Sequence, residues 1–102
     1  MVCAAQGTYR DAMEFSEIAE RFRSTTLSFI LSELEVADTF AQIALETDDR
    51  ERALRNRQNA RKGYDTALHF LATINVAPDE RTQIEERLDP LKEKLLELGE
   101  SV

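Results

Sequence analysis

Asn59-Ala60-Arg61-Lys62-Gly63-Tyr64-Asp65-Thr66-Ala67-Leu68 places small residues at 60 and 67 around an aromatic ring at 64, with charge among the remaining positions. A helix of this pattern approaches its neighbours closely through its small residues and anchors itself with its ring. That is how a helical hairpin is built, not an active site. Working outward, Ala53, Ala60, Tyr64, Ala67, Leu71 and Ile74 share one helical face and predict a helix over 49–74. Gly63 inside it costs about 1 kcal/mol against Ala and allows close backbone approach.

Upstream, Leu27, Leu31, Leu34, Ala41 and Leu45 make one apolar stripe, and Phe29, Val36, Phe40 and Ile43 make a second. Two apolar faces call for two packing partners, so a helix over 26–46 is expected to be the most buried. Thr47-Asp48-Asp49 separates the two helices, with Asp48 and Glu51 spaced as a capping box and Asp49 favourable beside a helix N-terminus. Downstream, Asn75-Val76-Ala77-Pro78 is a turn, with Pro78 at the first helical position and Asp79 and Glu80 in the first turn. Ile84, Leu88, Leu91, Leu95 and Leu98 follow in a 4-3-4-3 rhythm and predict a last helix over 78–98. Pro90 removes a backbone hydrogen bond there without breaking the rhythm, so a kink is expected rather than a division. Gly99 is a natural stop.

The N-terminal part is expected to start with a frayed segment, 1–7. Thr8 and Asp11 resemble a capping box, and Ala12, Phe15, Ile18, Ala19 and Phe22 recur at helical spacing over 8–23. Ser24-Thr25-Thr26 then suggests a break or bend. Were 8–46 a single helix, it would span roughly 58 Å at 1.5 Å per residue, too long for a compact monomer of this size and pointing to a dimer or an exposed arm. Short loops imply antiparallel neighbours. The expected fold is all-α, an antiparallel three- to four-helix bundle forming a single domain over 1–102.

Composition bounds the function. The 42% hydrophobic content excludes a wholly disordered chain, and few Gly or Pro leave room for long helices. A net charge of −7 argues against general attraction to nucleic acid or anionic membranes. Cys3 is the only cysteine, so neither an intrachain disulfide nor a Cys-based metal site can form. Residues 1–7 lack the basic segment and apolar run of a signal peptide, and no stretch approaches the ~20 apolar residues of a membrane span. A cytoplasmic protein is expected.

Candidates for chemistry are few. His69 is the only histidine, with Asp65 four residues before it, a spacing common on helix surfaces without function. Metal-ligand spacing, a nucleophile motif and a glycine-rich phosphate loop are all missing, so no catalytic, cofactor-binding or metal-binding residue is assigned. The asymmetric feature is the window 50–62, with six basic residues against Glu51, a surplus of +5 that leaves −12 for the rest. Arg52, Arg55 and Lys62 share a helical face, but no aromatic is interleaved there as single-strand binding would want. Asp38 and Arg57 lie on facing stripes at equal distances from the turn and are expected to pair inside the hairpin, as a device that fixes register.

Ala60, Tyr64 and Ala67, followed by Leu68, resemble the second-helix signature of tetratricopeptide repeats. The hairpin plus a further helix also looks like the three-helix microtubule-interacting-and-trafficking domain. The resemblance covers roughly residues 34–98 and implies a tetratricopeptide-like hairpin plus a C-terminal helix, with a groove for peptide segments. The function expected is a non-enzymatic protein–protein interaction or self-association module, including a homodimer. Phe15, Ile18, Phe22, Phe29, Arg52, Arg55 and Lys62 are its candidate interaction surface. The alternative is a small regulatory domain that binds nucleic acid or an acidic ligand through the basic window.

Overall fold

A computed structural model describes the backbone of residues 2–102 and the side chains of residues 15–102. Three helices follow one another: α1 (Val2–Glu46), α2 (Arg50–Leu71) and α3 (Pro78–Glu97), with no strand among the described residues. The chain is all-α. Its extents are 72 × 26 × 18 Å. A helix of this length spans about 67 Å at 1.5 Å per residue, so α1 alone sets the long axis.

The break expected at Ser24-Thr25-Thr26 does not occur; α1 runs through it. β-Branched residues cost a helix only tenths of a kcal/mol each. Thr26 is buried, and it begins the face that continues through Ile30, Leu34, Ala37, Ala41 and Ala44. Of the segment expected to fray, residues 2–7 fall within α1, as does the position of the cap expected at Thr8, while Met1 lies outside the described residues. The buried stripe also differs from the one read from large residues. Leu34 and Ala41 belong to it, while Leu27, Leu31 and Phe40 pack against its edge.

Close approach explains that choice of small residues. Gly63 of α2 faces Ala37 of α1 so tightly that a Cβ at 63 would stand 2.8 Å from the Ala37 Cβ. Ala60, Tyr64 and Ala67 lie buried beside it. Nearer the far end of α2, Phe29 and Phe70 meet edge to face at 5.2 Å. α3 closes the third side with Ile84, Leu88, Leu91 and Leu95, and its helix continues through Pro90.

The ends are capped by identifiable groups. Asp49, rather than Asp48, is the N-cap of α2, and its Oδ1 accepts from the backbone N–H groups of Glu51 at 3.0 Å and Arg52 at 3.2 Å. At α3, Pro78 occupies the first turn and the Glu80 carboxylate accepts from the Ala77 N–H at 2.8 Å. Gly99 takes φ +90°. The Glu100 N–H then reaches the Leu95 carbonyl at 2.9 Å and the Gly99 N–H the Leu96 carbonyl at 3.0 Å, the paired bonds of a Schellman stop.

Helix propensity alone predicts that Gly63→Ala stabilises the protein by about 1 kcal/mol. The contact with Ala37 reverses the sign: both atoms are fixed to backbones, and overpacking of this kind costs about 1–3 kcal/mol. Urea unfolding of Gly63→Ala is expected to show a lower midpoint, recovered in part by adding Ala37→Gly.

Candidate interaction surface

α1 leaves the bundle at Arg23. Its guanidinium donates to Glu80 Oε1 at 2.8 Å, to the Asn75 carbonyl at 3.4 Å and to Glu20 Oε1 at 2.9 Å. Arg23 therefore ties α1 to the α2–α3 turn and the first turn of α3. The hydrogen bond from Arg23 holds the Glu80 carboxyl below its ordinary value, and the Ala77 N–H adds to this. Arg23 likewise lowers Glu20, and the two carboxylates raise the guanidinium.

Beyond this latch the apolar positions of α1 from Phe15 to Phe22 have no bundle to cover them. Phe15 is 74% exposed, Ile18 63% and Phe22 63%, while Phe29, which also touches Phe70, is 40% exposed. Phe15, Phe22, Phe29 and Val36 stand seven residues apart. At 3.6 residues per turn a seven-residue row drifts only about 20° per step. The row therefore stays near the side of α1 on which Phe29 meets Phe70 and Ala37 meets Gly63. It runs from the arm into a groove of about 420 Å³ between Val36 and Phe40 of α1 and Lys62 and Gly63 of α2.

The basic window divides into two. Arg57 Nε donates to Glu100 Oε2 at 2.6 Å. Arg61 bonds Asp65 at 3.0 Å and Glu100 at 3.5 Å, and also reaches the Ser101 carbonyl. The Schellman stop places Glu100 where it can do this, so the C-terminal turn is pinned to α2. Arg52, Arg55 and Lys62 are exposed and form no ion pair among the described residues.

Asp38 and Arg57 do not pair. Lys94 Nζ donates to both Asp38 carboxylate oxygens at 2.8 Å. The register explains the difference. Ala37 meets Gly63 and Phe29 meets Phe70, which sets Asp38 level with position 62, about 7 Å along the axis from Arg57. Asp38 moreover faces α3. His69 is exposed and packs edge-on against the Phe70 ring at 5.3 Å, while Asp65 bonds Arg61 instead. Arg23, Lys94 and Glu100 were not singled out from sequence. Each sits in a charged stretch, and only the tertiary register reveals its partner.

Among the described residues, no cluster of three His, Cys, Asp or Glu side chains could hold a metal ion, and no helix is long and apolar enough to cross a membrane. The chain matches no protein-family model, no curated protein and no solved structure.

A double-mutant cycle on Asp38 and Lys94 is expected to give a coupling of about 0.2–1 kcal/mol, as for partly exposed pairs, and one on Asp38 and Arg57 none. A second expectation concerns acid. Because the Glu80 pKa is depressed on folding, its contribution is present above the unfolded value of 4.5 and is lost as pH falls through the folded value. NMR titration of Arg23→Met should show the Glu80 carboxyl moving up toward 4.5, yet remaining lowered by the Ala77 N–H.

Proposed function

We propose that this chain is a non-enzymatic protein–protein interaction or self-association module whose docking element is the free arm of α1. The observation that carries the reading is the row Phe15, Ile18 and Phe22, each more than half exposed on a helix that runs past its own bundle. A contiguous apolar face of this kind on a monomer marks a contact surface. In this reading the lower part of α1 and α2 form an antiparallel hairpin, tetratricopeptide-like in its Ala60–Tyr64–Ala67 packing, and α3 completes the support. The order of contacts favours the antiparallel arrangement, since Ala37 meets Gly63 while Phe29 meets Phe70.

The basic window is the weaker candidate. Arg57 and Arg61 are engaged by Glu100 and Asp65, which leaves a smaller cationic surface for an acidic ligand.

Association is tested by light scattering on a sizing column over a wide concentration range, and by capture of partners on the immobilised full chain. Phe15→Glu combined with Phe22→Glu is expected to weaken association by at least about 100-fold, since two buried Phe side chains contribute about 3 kcal/mol or more. Thermal unfolding of the bundle should change little. Association and capture that are identical in wild type and variant would overturn the reading.

A further inference from the structure

We propose that the groove between α1 and α2 is a second docking surface, separate from the arm, and that it receives an acidic amphipathic helix of another protein. Ala37 and Gly63 form its floor; between them they carry a single methyl group, so the space above stays open. One wall is apolar. Val36, half-exposed, and Phe40, partly buried, stand four residues apart on α1, and the partly buried Ile43 follows three residues on. The other wall is cationic. Lys62 of α2 lines the groove, Arg55 precedes it by seven residues, about 10.5 Å of helix, and Arg52 by ten. The contacts of Ala37 with Gly63 and of Phe29 with Phe70 set Phe40 level with Ala60, so the two walls run side by side.

Lys62, Arg55 and Arg52 are exposed and form no ion pair among the described residues, in a chain whose net charge is −7. Glu51 stands four residues before Arg55 but does not bond it, and Glu33 is the only carboxylate lining the groove. Glu33 lies at the end away from Arg52. The edge of the groove from Lys62 to Arg52 therefore carries uncompensated positive charge, which steers and orients an anionic segment.

These walls specify the occupant. An amphipathic helix presents apolar residues three and four apart and can carry carboxylates along one flank at the same period. Laid in the trough, it sets its apolar residues on Val36 and Phe40, and carboxylates seven residues apart fall opposite Lys62 and Arg55. Its acidic end belongs near Arg52, and a neutral or basic residue beside Glu33. A nucleic acid fits less well, because phosphates gain nothing from the apolar wall and no aromatic ring lies on the cationic face to stack a base. Nor does the bundle of a second copy offer such a helix: the only large apolar residue that α3 exposes is Leu96.

The test titrates the isotope-labelled full chain with two synthetic peptides of about 15 residues, long enough to form a helix. Both carry Leu three and four residues apart; the flanking positions are Glu in one and Lys in the other. The expected result is saturable binding of the Glu peptide, with resonances of Val36 and Lys62 shifting, at least about tenfold tighter than that of the Lys peptide. Lys62→Glu combined with Arg55→Glu, at exposed positions where the unfolding midpoint should not move, is expected to weaken the Glu peptide at least about tenfold and to favour the Lys peptide. Phe15→Glu combined with Phe22→Glu should leave this binding as in wild type, which separates the groove from the arm. Equal affinity for the two peptides, shifts confined to residues 15–22, or no binding of either would overturn the inference. So would a thymidine oligonucleotide of about 20 nucleotides binding through Lys62 and Arg55 in place of the Glu peptide. Self-association of the full chain abolished by the same charge reversal would overturn it in favour of a second copy.

Discussion

The contact between Ala37 and Gly63 is the constraint on which the rest of the structure depends. It brings the axes of α1 and α2 close enough that the shared face must be built from small residues: Ala37, Ala41 and Ala44 on one side, Ala60 and Ala67 on the other. Dense packing of this kind gains dispersion contacts along its whole length and tolerates no added methylene. It also fixes the axial register of α2 along α1. That register decides which charges can meet, so Asp38 finds Lys94, and Arg57 finds Glu100.

The same face gives α1 its two lives. Below Phe29 α2 packs against it, with Val36 left half-exposed at the edge of the groove; above Arg23 the described part of it has no covering helix. Arg23 marks the boundary, binding Glu80 and the α2–α3 turn where the bundle ends. Partly exposed ion pairs add little stability on their own. Their effect here is positional: one ties α1 to the start of α3, another pins the C-terminal turn to α2, and a third holds α3 beside α1. The bundle that supports the arm is defined by small-residue packing inside and by these latches at its edges.

Much of the architecture was legible in the sequence. Ala60, Tyr64 and Ala67 bury as their spacing implies, as do Ile84, Leu88, Leu91 and Leu95, because a helical period written in apolar residues translates directly into a buried face. Gly63 and Gly99 mark a close approach and a helix stop, since each position demands the missing Cβ or a positive φ. Three features were not legible. Ser24-Thr25-Thr26 looked like a break, yet the propensity cost there is small beside the burial of Thr26. The face of α1 was misread because large side chains dominate a hydrophobic count, while helix approach selects alanine. The ion pairs depend on a shift of about 7 Å in the register of α1 against α2, which no local pattern encodes. The arm's apolar row was visible throughout; that it continues the α2-facing side of α1 became clear only from Phe29 against Phe70.

The central claim is that one helix is covered by its own bundle along half its length and by association along the other half. Amide hydrogen exchange across α1 as a function of protein concentration tests it most directly. The account predicts that amides of 30–44 are protected equally at all concentrations, while protection of 2–22 rises as the protein is concentrated. Protection of 2–22 matching that of 30–44 at high dilution, or failing to rise at any concentration, would contradict it.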